Sequence, residues 1–363
     1  MGRSYAYGRN HSLEFSWREA TGAVGDSVTV LPIVVAVAVL TDLSLAMMLL
    51  WFGAFQLIWG LYFGAPISVE PMKALAALIL AGTISTGELL IAGLLIAGLL
   101  LLFGGTGLIE RVQHIFGPPV VRGIQLAVAL VLLDTGVRLG LGDPMLAALA
   151  VVIAIPIILR GRIDVGAMAV LLCGGLIALY YAGIPSPALP PTDSILLFSA
   201  SDMTLPAVEA TVAQLAMTLG NACLAASVLM HDYFEKDISP DQLASSMGVM
   251  NLTAVPFGAF PMCHGSGGIA GKYAFGARTA GANVILGLGY IAVAIFGVAI
   301  VTAYPVAMLG VILVLISAQL GFTSLKRASD YWLVVAIGLL GLLVNIGLAF
   351  VVGILIYTVL RRY

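Results

Sequence analysis

Residues 260–272 read FPMCHGSGGIAGK, a run that is too polar and too rich in glycine to form an ordinary membrane helix. Hydrophobic segments flank this run on both sides. Such an interrupted segment is typical of an extended chain that enters a half-helix, whose free N–H groups point into a cavity. The stretch therefore predicts one half of a substrate site.

A second interrupted segment, APISVEPMKA at residues 65–74, stands at the matching place in the first part of the chain. Pro66 and Pro71 disfavour helix immediately before them, and Pro71 suits the first turn of a helix. The alanine- and leucine-rich run 74–80 continues that helix. Two broken helices at corresponding positions indicate an inverted-repeat transporter.

The composition agrees with a protein that crosses a membrane many times. Of 363 residues, 61% are hydrophobic and only 9% are charged, a balance that a soluble domain does not carry. Apolar stretches of roughly 15 to 25 residues predict an all-α polytopic membrane protein with about fourteen segments in two inverted seven-segment repeats. The predicted segments are 22–40, 43–63, 66–84, 87–104, 119–138, 143–160 and 163–183, then 205–230, 243–258, 260–275, 279–303, 305–322, 330–345 and 346–360.

The distribution of positive charge sets the predicted orientation. The predicted parts are a cytoplasmic N-terminal segment 1–21, a first repeat 22–183, an extracytoplasmic linker 184–204 and a second repeat 205–363. If both termini are cytoplasmic, 14 of the 16 Lys and Arg residues fall on the cytoplasmic side, and Lys272 is one of these 14. Arg138 falls outside and Lys73 inside the membrane. The short loops favour a prokaryotic inner (plasma) membrane.

The two half-helices are expected to begin near the middle of the membrane and to bring their positive N-terminal ends to one spot. Such a pair of ends suits an anion. The candidate substrate-binding residues surround these ends or lie on the neighbouring first segments of the repeats: Ser68, Glu70, Pro71, Met72, Lys73, His264, Gly265, Ser266, Gly267, Gly268, Thr29, Gln214 and Asn221. The strongest candidates are Ser266, Gly267 and Gly268. The GxxxG spacing of Gly267 and Gly271 also fits simple helix packing.

Glu70 and Lys73 are ionisable groups inside a predicted membrane segment, where charge is costly and by default functional. Lys73 is the predicted partner of an anion, and Glu70 is the candidate for proton coupling or for orienting a ligand. The alternative is an ion pair that only fixes the half-helix. Asp26 is placed near the inner end of its segment, where solvent can reach it, and stays outside the predicted site.

Other kinds of site find little support in the sequence. Cys263 and His264 lack further Cys or His partners nearby, so no metal or other cofactor is expected. Gly271-Lys272 lacks the upstream glycine of a phosphate-binding loop, and Tyr273 replaces its Ser or Thr. No base–nucleophile pair emerges, so we expect no enzyme, and we expect no nucleic-acid partner.

Three motifs carry a family resemblance: Pro71-Met72-Lys73-Ala74, Val121-Arg122-Gly123-Ile124-Gln125-Leu126, and Pro261 to Gly268 followed by Phe275-Gly276-Ala277-Arg278. With them the chain resembles the molybdate transporter family, a relative of the SulP sulfate permeases. The resemblance implies a core domain, 22–104 plus 205–303, that moves against a gate domain, 119–183 plus 305–360. It also implies molybdate as substrate, with sulfate or tungstate as alternatives, and it allows a homodimer.

One residue departs from that resemblance, because Glu70 stands where glutamine is expected in many relatives. A carboxylate beside a dianion suggests proton coupling or altered selectivity. A proton-coupled nucleobase permease that uses Glu70 as its ligand carboxylate, and an anion channel, are the remaining alternatives.

Overall fold

The computed structural model describes residues 13–109, 117–183, 187, 198–297, 300 and 303–360. The predicted linker 184–204 lies mostly outside this part of the chain, as do residues 1–12 of the predicted N-terminal segment. Arg3, Arg9, Arg111, Arg361 and Arg362, which contribute to the predicted orientation, are also outside it.

In the first half of the chain, the described residues form helices and one short strand, joined by turns. Its elements, in order, are α1 (Trp17–Leu40), α2 (Leu45–Phe63), β1 (Glu70–Pro71), α3 (Lys73–Leu80), α4 (Thr86–Thr106), α5 (Pro118–Leu141), α6 (Pro144–Ile158) and α7 (Ile163–Ala182). The second half repeats this order of long helices, a strand and a short helix. Its elements are α8 (Leu205–Met217), a π-helix (Thr218–Ala225), α9 (Ala226–Phe234), α10 (Pro240–Ala254), β2 (Met262–Cys263), α11 (Ser266–Ala274), α12 (Gly281–Phe296), α13 (Val306–Lys326), α14 (Tyr331–Leu343) and α15 (Ile346–Leu360).

Six helices in the described part of the chain are long and apolar enough to cross a membrane. They are 45–63, 86–106, 118–141, 165–182, the continuous run 205–234 and 306–326. A seventh candidate is α1, which bends by 43° between Ser27 and Val30. Pro32 explains the bend, because its ring clashes with the carbonyl group four residues earlier and removes a helical hydrogen bond.

The N-terminal end of α1 lies earlier than the predicted start at residue 22. The Ser16 side chain caps the helix by accepting a hydrogen bond from the Glu19 main-chain N–H. The buried Glu19 carboxylate then accepts main-chain N–H groups of Arg278, Thr279 and Ala282 at 2.9–3.2 Å. This contact ties the start of α1 to the chain that enters α12.

The two interrupted segments meet as an antiparallel pair of strands. Glu70 lies opposite Cys263, and Pro71 lies opposite Met262. A further hydrogen bond of 2.9 Å runs from the Met72 N–H to the Pro261 carbonyl. The extended runs and short helices that the sequence predicts are therefore present, but Pro71 lies in β1. Its predicted place in the first turn of a helix is wrong, since α3 begins at Lys73.

Helix packing separates into two sets. In one set, α2 packs on α12, α4 on α10, α1 on α11, and α3 on α8. In the other, α5 packs on α13 and α14, and α7 packs on α6 and α13. The strand pair lies in the first set, where the Asn251 side chain on α10 holds both main-chain groups of Met262 at 2.7 Å.

Candidate functional site

The N-terminal ends of the two half-helices differ in how their amide groups are satisfied. At α3, the Gln214 side-chain oxygen accepts the N–H groups of Ala74, at 2.9 Å, and Leu75, at 3.4 Å. Gln214 thus caps α3, and the prediction that both half-helices present free amides to a ligand is wrong for this end. Gln214 also donates to the Thr218 hydroxyl at 3.0 Å.

The α11 end is open. Within the described residues, the first three N–H groups of α11, those of Ser266, Gly267 and Gly268, have no hydrogen-bond acceptor. The first amides of a helix always lack partners within it, and here Gly265 at the N-cap offers no side chain to replace them. A side chain at Gly267 would meet no atom within 4 Å. Open space therefore lies beside the exposed Gly267 in the first turn of α11.

Glu70 joins the two half-helices. One carboxylate oxygen lies 2.5 Å from the Lys73 ammonium, and the other lies 3.2 Å from the Ser68 hydroxyl. The carboxylate rests against the first turn of α11, because a methyl group at either Gly265 or Gly268 would overlap it. The two glycines thus make room for Glu70, whose side chain is completely buried, whereas that of Lys73 is 14% exposed.

A polar rim borders the open space at Gly267. The Ser266 hydroxyl donates to the Asn221 side-chain oxygen at 2.5 Å, and both residues are half-buried. Asn221 lies within the π-helix, a distortion that proteins often place at functional sites. The sequence predicts Asn221 as a candidate, but nothing in its pattern predicts the π-helix that aims it at Ser266.

His264 has a supporting position instead of a place at the open space. Its two ring nitrogens lie 2.8 Å from the Ser68 carbonyl oxygen and 2.8 Å from the Ser246 hydroxyl. Both nitrogens are therefore engaged in holding the strand pair to α10. Met72 is also fully buried. The Thr29 side chain lies outside the described residues, so its predicted contribution stays a prediction.

Four polar residues outside the predicted site form a buried cluster near Glu70. Asp26, Gln56, Lys272 and Asn283 are each completely buried. The Lys272 ammonium lies 3.2 Å from the Asp26 carboxylate, whose other oxygen accepts the Ser68 hydroxyl at 2.6 Å. Two predictions are corrected here, because Asp26 is not solvated and Lys272 lies buried within the protein instead of in a solvent-exposed segment.

The signal that identifies Asp26 and Lys272 is present in the sequence. Each is an ionisable residue inside or beside an apolar segment, which by itself suggests a buried, paired position. Because the charge count assigns Lys272 to a cytoplasmic segment, its buried position is not predicted. The structure also contains no group of three or more His, Cys, Asp or Glu side chains suited to a metal, as far as its described residues go.

Comparison with known proteins places this chain among transporters. The family described as "Molybdate transporter of MFS superfamily" matches residues 18–132 and 206–320. "Molybdate transporter 2" of Arabidopsis thaliana is 28% identical, over 84% of this chain and 78% of its own length. This plant relative gives no support to the predicted prokaryotic membrane.

Solved structures show the same fold. The transmembrane domain of a cyanobacterium bicarbonate transporter, BicA, aligns with a TM-score of 0.68 and 17% identity, covering 92% of this chain and 97% of that domain. SLC26A9 aligns with a TM-score of 0.66 and 14% identity, covering 94% of this chain and 64% of SLC26A9. At these identities the likeness concerns the fold alone.

The family comparison reaches both interrupted segments, because its two matched ranges contain β1 with α3 and β2 with α11. It confirms the resemblance drawn from the sequence motifs and agrees with the prediction that the chain is not an enzyme. Since the match extends over more than half of its residues, this integral membrane protein belongs to the molybdate transporter family.

Proposed function

We propose that the protein transports molybdate across a membrane and binds it in the open space beside Gly267. The observation that carries this proposal is the first turn of α11, whose three amide groups have no acceptor among the described residues. The name of the Arabidopsis relative supports molybdate as the substrate. A tetrahedral dianion supplies the acceptor oxygens and the charge that a helix N-terminus favours.

Lys73 and Ser266 complete the proposed site. The partly exposed Lys73 ammonium provides a positive charge at the edge of the site, and charge-assisted hydrogen bonds to an oxyanion are stronger than neutral ones. The Ser266 hydroxyl now donates its hydrogen to the Asn221 side-chain oxygen. It can rotate and donate the same hydrogen to an oxygen of a bound anion. Asn221 therefore holds Ser266 in position until the anion arrives.

Glu70 is the proposed coupling group. A dianion that enters beside Lys73 approaches the Glu70 carboxylate and repels it, so binding favours a protonated Glu70. The Ser68 hydroxyl has one hydrogen, which its shorter contact to Asp26 uses. A protonated Glu70 can then donate to the Ser68 oxygen. Cotransport of protons would offset a cost of about 2.3 kcal/mol per charge per 100 mV for moving an anion into a negative compartment.

For transport we propose fourteen segments in two inverted repeats, with a core domain that moves against a gate domain. The packing supports two inverted repeats. If each element is replaced by its counterpart in the other half of the chain, the contact of α2 with α12 becomes the contact of α10 with α4. The contacts of α1 with α11 and of α8 with α3 exchange in the same way. We place both termini in the cytoplasm on the charge distribution, and a homodimer stays a prediction.

Titration calorimetry on the purified protein tests the substrate class. Molybdate, tungstate, sulfate and uracil would be titrated into the wild type and into the Ser266→Ala and Lys73→Ala variants. We expect molybdate to bind the wild type and to bind each variant about tenfold or more weakly, the equivalent of a lost charge-assisted contact. Binding of uracil without any oxyanion would replace the proposal with a nucleobase permease. Single-channel currents in planar bilayers would replace it with a channel.

A further inference from the structure

The Lys272 ammonium lies in a cage of oxygen atoms inside the first helix set. Its nitrogen is 2.9 Å from the Gln56 side-chain oxygen, 2.9 Å from the Asn283 side-chain oxygen and 3.2 Å from the Asp26 carboxylate. The Ile67 carbonyl oxygen, in the extended chain that precedes β1, lies at 2.5 Å. Four separate parts of the chain thus direct one oxygen each at a single point.

The two amide side chains cannot easily turn their oxygens away. The Gln56 amide nitrogen donates to Asp26, at 2.7 Å, and to the Val69 carbonyl, at 3.3 Å. The two hydrogens of the Asn283 amide nitrogen are shared among three acceptors at 2.8–3.0 Å, namely the main-chain and side-chain oxygens of Gln56 and the Ile67 carbonyl oxygen. With the nitrogens engaged in this way, the oxygens remain directed at the centre of the cage.

This cage has more oxygens than an ammonium group requires. A lysine has three N–H donors, yet four oxygens lie within 3.2 Å of the Lys272 nitrogen. A carboxylate, two amide oxygens and a main-chain carbonyl make up the kind of ligand set that hard cations select. Broken-helix transporters use the carbonyl groups of their unwound segments in the same way, to hold a coupling cation.

We propose that Lys272 is a tethered cation that permanently fills a cation site in the core of the protein. Its charge neutralises Asp26, so this site needs no ion from solution in any step of the transport cycle. The structural part of this inference does not depend on molybdate, whereas the resulting independence of transport from sodium rests on the proposed function. Removal of the ammonium would leave a vacant, singly negative cage that a small alkali cation can enter.

Two substitutions of Lys272 test whether the cage binds a cation once the ammonium group is removed. Lys272→Ala vacates the cage, whereas Lys272→Met keeps a stem of similar length and places a methyl group near the position of the ammonium. Thermal unfolding of the detergent-solubilised protein would be measured in matched sodium, potassium and N-methylglucamine chlorides. A ligand that binds only the folded state raises the melting temperature.

We expect the wild type to unfold at the same temperature in all three salts. Lys272→Ala is expected to gain at least about 2 °C in sodium or potassium over N-methylglucamine. Lys272→Met, and a double variant that adds Asp26→Asn to Lys272→Ala, are expected to show no such gain. Recovery of Lys272→Ala only when it is purified in an alkali salt would equally support the proposal.

Two results would overturn the inference. One is a Lys272→Ala protein that folds but melts at the same temperature in every salt. The other is a wild type whose melting temperature or molybdate affinity depends on sodium or potassium. If no Lys272→Ala protein folds even in an alkali salt, the inference also fails, because an alkali cation is expected to refill the vacated cage. If the wild type does not bind molybdate, the proposed function fails while the melting comparison still tests the cage.

Discussion

Glu70 lies where the two half-helices meet, and its surroundings can serve either charge state. The Lys73 ammonium at 2.5 Å stabilises the carboxylate, whereas the Ser68 oxygen at 3.2 Å can accept a hydrogen bond from the protonated acid. An oxyanion that competes for Lys73 would shift the balance toward the acid. In the proposed mechanism, Glu70 would therefore link the binding of the anion to the binding of a proton.

The first prediction concerns the pH dependence of molybdate binding. If one proton binds with each anion, the affinity of the wild type rises as pH falls, by up to about tenfold per pH unit. Glu70→Gln resembles the protonated acid, so its affinity is expected to stay constant with pH. Calorimetric titrations in mildly acidic and mildly alkaline buffers measure this difference.

Glu88→Gln is the matched control, because Glu88 is a capping-box residue at the start of α4 and glutamine serves a capping box equally well. This variant is expected to keep the pH dependence of the wild type. An unchanged pH dependence in Glu70→Gln would remove Glu70 from proton coupling and leave it as a structural partner of Lys73.

The second prediction uses two neighbouring glycines of α11. A methyl group at Gly268 would overlap the side-chain oxygens of Asp26, Glu70 and Ser68, whereas one at Gly267 would meet nothing within 4 Å. Gly268→Ala is therefore expected to destabilise the protein by about 1–3 kcal/mol through overpacking. Gly267→Ala is expected to unfold at the wild-type temperature or above it, because alanine favours helix.

Molybdate titrations separate the roles of these glycines further. The methyl group of Gly267→Ala enters the space proposed for the ligand, so its affinity is expected to fall about tenfold or more, a loss of about 1.4 kcal/mol. Stable Gly267→Ala protein with wild-type affinity would place the molybdate site away from the α11 N-terminus.

At the scale of elements, the strand pair depends on side chains from α10. Asn251 both accepts from and donates to the main chain of Met262 at 2.7 Å. His264, which directly follows the same strand, lies within hydrogen-bond distance of the Ser68 carbonyl oxygen and of the Ser246 hydroxyl on α10. These contacts replace the hydrogen bonds that a continuous membrane helix would make within itself, which is the requirement for irregular backbone at this depth.

The third prediction follows from that requirement. Asn251→Ala leaves two buried main-chain groups of Met262 without partners, and each loss costs about 1–3 kcal/mol. The melting temperature is expected to fall by at least about 4 °C. Thr253→Ala is the control on the same helix, because the exposed Thr253 hydroxyl donates, among the described residues, to the carbonyl groups of Val249 and Met250 within α10. Equal melting temperatures for both variants would show that α10 does not hold the strand pair.

The elements themselves were largely predictable from the sequence, as was the local ion pair of Glu70 with Lys73, but the polar contacts between distant parts of the chain were not. Hydrophobic length places a helix within each apolar segment, and proline and glycine mark the two interruptions. By contrast, the position of Lys272 depends on oxygens from residues 26, 56, 67 and 283. No local pattern indicates such a meeting, and counting positive charges assigns any lysine near a segment end to a loop.

At the scale of the whole molecule, the two helix sets have several contacts, because α15 packs on α8, α1 packs on α7 and α13, and α3 packs on α5. One lies between α8 in the proposed core domain and the turn before α15 in the proposed gate domain, where Asn345 donates to the Glu209 carboxylate at 2.7 Å. If the domains move against each other during transport, this contact must change in each cycle. A covalent link at the same place would then stop transport while leaving the binding site intact.

The fourth prediction is that cross-linking of Glu209→Cys with Asn345→Cys blocks molybdate uptake into proteoliposomes. The background would carry alanine at Cys173, Cys223 and Cys263, the three native cysteines. A short bifunctional thiol reagent is expected to reduce the rate of uptake in proportion to the fraction of cross-linked protein, and a reductant that cleaves the reagent is expected to restore it. Molybdate binding measured by calorimetry is expected to persist, because neither residue contacts the proposed site.

The control is the pair His231→Cys with Asp237→Cys, whose native side chains also lie 2.7 Å apart but within the proposed core domain. A link there joins residues that move together, so uptake is expected to continue at the rate of the unlinked protein. Uptake that survives complete linkage of residues 209 and 345 would contradict a core domain that rocks against the gate. Because binding and stability are measured on the same samples, a loss of uptake through unfolding is distinguished from a loss through restrained motion.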